Sequence, residues 1–92
     1  ERNLLLVAEG LPTLASRLAI LPLDGRARLR ATTPDHRPLA GALGDGLFVL
    51  GGLGARGFCT APLLAEHVAA LALGRASPLP VDLAAAVDPQ RL

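Results

Sequence analysis

Seven residues, Gly51-Gly52-Leu53-Gly54-Ala55-Arg56-Gly57, separate the apolar run Leu47-Phe48-Val49-Leu50 from Phe58-Cys59-Thr60-Ala61-Pro62 and a Leu/Ala-rich stretch. Glycines at this density let the backbone turn sharply and leave room for a ligand against main-chain N–H groups. A helix beginning near Phe58 adds unpaired donors and a partial positive charge at its first turn. Such a place suits phosphate, carboxylate or a polarised carbonyl.

Other residues offer less. Arg26, Arg28 and Arg30 alternate, so on a strand they share one face. That face is either solvated or presents an arginine to a ligand. Cys59 is the only cysteine, which excludes a disulfide framework and a multi-cysteine metal site. Among apolar neighbours it reads as buried packing. His36 and His67 have no spacing to Cys59 that makes a nucleophile and base pair. His67, on a helix, is expected to face solvent, and no metal site is expected. Asp35 is expected to cap its own loop.

The elements that position these residues follow from periodicity. Asn3–Glu9 reads as a helix, stopped by Gly10 and Pro12. Residues 13–20 are ambiguous: Leu14, Ala15 and Leu18 keep helical spacing, while Leu18–Leu21 is compatible with extension. Leu23-Asp24-Gly25 is a turn, and Arg26–Thr32 alternates as a strand. Thr33-Pro34-Asp35-His36-Arg37-Pro38 is a loop held by its prolines and aspartate. Leu39–Leu43 is a short strand and Gly44-Asp45-Gly46 a tight turn. Leu47–Leu50 is the clearest strand, its continuous apolar run fitting burial on both faces. A helix from Phe58 to Leu73 packs through Leu64, Val68 and Leu71, with Pro62 tolerated near its start and Gly74 ending it. Ser77–Pro80 is extended, and Asp82 is positioned to cap a last helix over Leu83–Val87.

Ninety-two residues allow one small domain. Half the residues are hydrophobic (51%), yet Phe48 and Phe58 are the only aromatics, so the core is thin. With no Met and a start at Glu1-Arg2-Asn3, the chain is expected to be a piece of a longer protein whose remainder covers exposed leucines. The net charge of +1 gives bulk electrostatics no preference for nucleic acid or acidic substrates. No secretory signal is visible, and no apolar stretch approaches the roughly 20 residues of a membrane span. A cytoplasmic location is the expectation.

Gly52, Gly54 and Gly57 satisfy G-x-G-x-x-G between a strand and a helix. A dinucleotide fingerprint also needs a second parallel strand after the helix, ending in an acid. Here the helix is followed by Ser77-Pro78-Leu79-Pro80-Val81-Asp82, and two prolines disfavour a central strand. The glycines are therefore not a first Rossmann turn.

The segment from Arg28 to Gly41 carries R-x-x-T-x-D-x-x-P-x-x-G at Arg30, Thr33, Asp35, Pro38 and Gly41. It resembles a segment late in FAD-dependent oxidoreductases of the D-amino-acid/glycine oxidase superfamily. Gly52 through Glu66 is closer to one branch, the C-terminal oxidoreductase domain of bifunctional tRNA 5-methylaminomethyl-2-thiouridine modification proteins. The tail, Leu83 to Asp88-Pro89-Gln90-Arg91-Leu92, is similar to that family's end. The resemblance covers nearly the whole chain, most strongly from Arg28 to Glu66.

This resemblance implies that residues 1–92 are a C-terminal fragment of an FAD-dependent oxidoreductase domain. The fold class expected is α/β, as an α+β-like fragment with few short strands and a long helix. Gly52, Leu53, Gly54, Ala55, Arg56, Gly57 and Phe58 would approach the flavin ring, and backbone N–H groups there would stabilise charge as the ring accepts a hydride. Arg30 matches an arginine that grips a substrate carboxylate in relatives. Arg56 is offset by one from a second such arginine and is given only a loop or flavin contact. The implied reaction is oxidative removal of a carboxymethyl group from modified wobble uridine. The implied partners are tRNA and the rest of the parent chain, meaning a Rossmann half and a methyltransferase domain, with no membrane. Two alternatives stay open: a glycine or D-amino-acid oxidase-like enzyme, and a non-catalytic packing or interaction module.

Overall fold

Leu39–Gly44 (β1) and Leu47–Gly51 (β2) form an antiparallel hairpin around Asp45-Gly46. The register pairs Leu39 with Gly51, Gly41 with Val49 and Gly44 with Leu47, with an irregularity between Ala42 and Gly44. The computed structural model describes residues 2–92. In chain order the elements are α1 (Arg2–Gly10), α2 (Pro12–Leu18), β1, β2, α3 (Gly57–Ala72), α4 (Val81–Val87) and a 3-10 turn at Pro89–Arg91. Among the described residues the architecture is α+β, a two-stranded sheet with four helices.

The site is positioned by α3 lying across both strands, with α4 and the 3-10 turn against β1. Helix α1 packs on α2. The structure resolves residues 13–18 in favour of helix, with Ala19 and Ile20 in the turn that follows. The buried apolar core is small: Ala40, Leu64 and Ala70. The radius of gyration is 18.5 Å, against about 12 Å for a compact domain of this length. So few buried side chains do not draw α1 and α2 onto the sheet.

Helix α3 ends as glycine at position 74 predicts. The Arg75 amide donates to the Ala70 carbonyl at 2.7 Å and the Gly74 amide to Leu71 at 3.2 Å, the paired bonds of a Schellman cap. No strand follows α3 among the described residues, so no βαβ unit closes.

Four expectations are corrected. Arg26–Thr32 is not a strand; only Thr32 bridges, to Leu53. Alternation supplies the pattern of a strand, but a strand needs a neighbour for its hydrogen bonds, and Leu29 projects fully exposed. The β2 run is not buried on both faces: Leu47 and Leu50 are exposed, because α4 and the 3-10 turn pack on β1 and leave α3 as the main cover of β2. Cys59 is exposed, not packed inside. Asp82 does not cap α4; the helix starts at Val81 after Pro80, and Asp82 lies within the first turn.

His67 is the fifth correction. It is buried at 3% exposure, with Nδ1 2.6 Å from Ser77 Oγ. The buried stripe of α3 runs Leu64, His67, Ala70 at i, i+3 spacing, about one residue rotated from the expected Leu64, Val68, Leu71. Ser77 Oγ also accepts from the Leu79 amide at 3.0 Å. The imidazole thus ties the segment after α3 back onto the helix.

Candidate functional site

Strand β2 delivers the chain into the turn at Gly52, and α3 takes it away at Gly57. Gly54 has φ +56°, a left-handed conformation that side chains with a Cβ adopt only with strain. It donates its amide to Ala31 at 3.1 Å. A Cβ on Gly54 would lie 3.3 Å from Thr32 Cγ2, and one on Gly52 would lie 3.0 Å from Thr33 Cγ2. The glycine turn is therefore pressed against Ala31–Thr33, which explains the absence of side chains.

Not every amide of the turn is free. Gly54 bonds Ala31, Arg56 bonds Leu53, and the Cys59 and Thr60 amides both reach the Arg56 carbonyl. The amides of Ala55, Gly57 and Phe58 have no backbone acceptor among the described residues. These are the donors a ligand can use.

A cavity of about 560 Å³ opens there, lined by Arg30, Leu53, Gly54, Ala55, Gly57, Phe58, Ala61 and Pro62. The structure thus brings Arg30 and five of the seven expected loop residues to one space. Gly52 faces Thr33 and Leu39 instead. Arg56 lines an adjoining cleft of about 430 Å³ with Arg30, His36 and Arg37, and no carboxylate lines it. Ala61 and Pro62 were missed as lining residues. Their signal was their place at the start of the second turn of α3, one turn beyond Gly57.

The loop between Thr32 and β1 is a hydrogen-bonded knot. The Thr33 hydroxyl lies 2.8 Å from Asp35 Oδ1 and 2.6 Å from the Arg37 carbonyl, sharing its proton between them. The Arg37 amide donates to Asp35 Oδ1 at 3.1 Å. Asp35 caps its loop, as expected. The sequence reading missed Arg91, whose Nε donates to Asp35 Oδ2 and whose terminal nitrogen donates to Oδ1, each at 2.9 Å. Nothing in local spacing joins positions 56 residues apart.

The Arg91 guanidinium, then the Thr33 hydroxyl and the Arg37 amide, hold the Asp35 carboxyl well below the usual carboxylate range. A depressed folded-state pKa gives stability that is present above the unfolded value and lost as pH falls. In the full-length protein, Asp35→Asn is expected to lower the thermal midpoint at neutral pH. That difference should shrink as pH falls below about 4, the ordinary aspartate value. A gap that stays constant through acid would contradict the assignment.

No protein-family model and no solved structure matches the chain. Curated relatives do. A protein of Caulobacter sp. strain K31 is 63% identical over 94 residues, covering 99% of this chain. One of Caulobacter vibrioides is 60% identical over 82 residues (89% of the chain), and one of Chromobacterium violaceum 36% over 119 residues (97%). All three are named tRNA 5-methylaminomethyl-2-thiouridine biosynthesis bifunctional protein MnmC. The chain spans 16%, 14% and 18% of their respective lengths. Over nearly all of its residues, the chain matches a fragment of the bifunctional tRNA 5-methylaminomethyl-2-thiouridine biosynthesis proteins.

Proposed function

We propose that the full-length protein is a cytoplasmic FAD-dependent oxidoreductase that removes a carboxymethyl group from a modified wobble uridine of tRNA. This chain supplies the loop at the flavin ring. The observation that carries the reading is the shared cavity, where an arginine and acceptor-free amides meet on an otherwise apolar wall. The fit to a flavin is chemical. An isoalloxazine offers a flat apolar face for Leu53, Phe58 and Pro62, and a polar pyrimidine edge for N–H donors. When bound, the flavin supplies the two-electron acceptor.

The chain's own residues would then do three things. The Ala55, Gly57 and Phe58 amides, at the positive end of α3, stabilise negative charge on the pyrimidine edge. Arg30 holds the substrate carboxylate by a two-point contact, which a planar guanidinium suits. The arginines of the adjoining cleft, Arg37 and Arg56, favour a polyanion at its mouth, as tRNA is. The rest of the parent chain, including a Rossmann half and a methyltransferase domain, would cover the exposed leucines. Among the described residues, no helix is long and apolar enough to cross a membrane.

The test is the purified full-length protein, assayed for released flavin and for turnover on carboxymethylated tRNA beside glycine, sarcosine and D-amino acids. A yellow preparation active on the tRNA is expected. Turnover on free amino acids alone would transfer the protein to the amino-acid oxidase reading, and a colourless inactive preparation would oppose both.

A further inference from the structure

The Arg91 side chain makes four hydrogen bonds, as many as that of Asp35. Besides both oxygens of Asp35, its guanidinium donates to the Arg37 carbonyl at 2.9 Å and to the Asp88 carbonyl at 3.0 Å. Its side chain is 13% exposed. The turn that carries it is fixed independently. Asp88 Oδ1 accepts from the Gln90 amide at 2.7 Å. Pro89 packs so close to Gly41 of β1 that a Cβ there would lie 2.9 Å from Pro89 Cδ. The guanidinium is thus anchored on the sheet and grips a loop that leads elsewhere.

That loop leads to the cavity. Asp35 and Arg37 hold Thr33 through its hydroxyl. Thr33 and Thr32 press on Gly52 and Gly54, Thr32 bridges Leu53, and the Ala31 carbonyl takes the Gly54 amide. Arg30 is the next residue. It follows no regular element and has no ladder of its own to fix it.

We propose that Arg91 is a positioning residue for the cavity, holding the Arg30–Thr33 segment in register with the Gly52–Gly57 turn through Asp35. A lysine in its place keeps the charge and loses the fork. The consequence for catalysis rests on the flavin reading above; the consequence for geometry does not.

The experiment separates the two. Amide hydrogen exchange of the full-length protein is compared for the native chain, Arg91→Lys and Arg91→Ala. Arg91→Ala is expected to accelerate exchange at the Gly54 and Arg37 amides at least tenfold while Val68 and Leu71 within α3 hold their rates. Arg91→Lys is expected to fall between. In flavin-loaded protein the same variants are expected to raise KM for the modified tRNA more than they lower kcat. Unchanged exchange at Gly54, or equal acceleration throughout α3, would overturn the proposal. A full-length protein without flavin would defeat the reading above yet leave the exchange result decisive for Arg91.

Discussion

Gly54→Ala is expected to weaken flavin retention by the full-length protein about tenfold, and Gly54→Val more severely. The φ of +56° at this position costs a residue with a Cβ about 1–2 kcal/mol, and each 1.4 kcal/mol is a factor of ten in an equilibrium. A valine adds a collision, since the first carbon alone sits 3.3 Å from Thr32 Cγ2. The turn relieves the strain by shifting away from Ala31, which moves Ala55, Gly57 and Phe58 together. Gly51→Ala is the control. A Cβ there meets nothing within 4 Å and no positive φ is involved, so flavin content should stay within about twofold of native. Flavin release followed by absorbance reads both, and equal retention in the two variants would contradict the role given to the turn.

Arg30→Ala is expected to lower kcat/KM on carboxymethylated tRNA by roughly 10- to 100-fold, mostly through KM. A hydrogen bond to a charged group contributes about 1.5–3 kcal/mol, which is roughly 10- to 100-fold. Arg30→Lys should recover part of the loss, since a lysine contributes the charge as a single point. Flavin content should be unchanged in both variants. Steady-state kinetics on the full-length protein decides it: turnover equal to native in Arg30→Ala removes Arg30 from substrate binding.

The sequence was most informative where one residue type admits one conformation. Pro34, Pro38 and Asp35 marked the loop, Gly74 marked the end of α3, and the glycines after β2 marked the turn into α3. It was least informative where a neighbour decides. The alternation of Arg26 to Thr32 has no partner strand to pair with, so the pattern yields a single bridge at Thr32. Leu47–Leu50 has the composition of a two-sided core strand, but α3 is the main element that covers it and Leu47 and Leu50 stay exposed. His67 was assigned to solvent because local helical phase favoured Val68, while Ser77, ten residues on, supplies the partner that lets an imidazole be buried. Arg91 belongs with these. Its role is set by Asp35 across 56 positions of sequence, a relation that periodicity does not encode. His67 and Arg91 are thus placed by partners far along the chain, which spacing rules leave silent.

The central claim is that the turn after β2 exists to bring main-chain donors to a flavin held mainly by other parts of the protein. A crystal structure of the full-length protein in its flavin-bound form tests it directly. The claim predicts the pyrimidine edge of the ring within hydrogen-bonding distance of the Ala55, Gly57 or Phe58 amide, with Arg30 beside the open face. Those amides satisfied by polypeptide, with the flavin bound elsewhere, would contradict it.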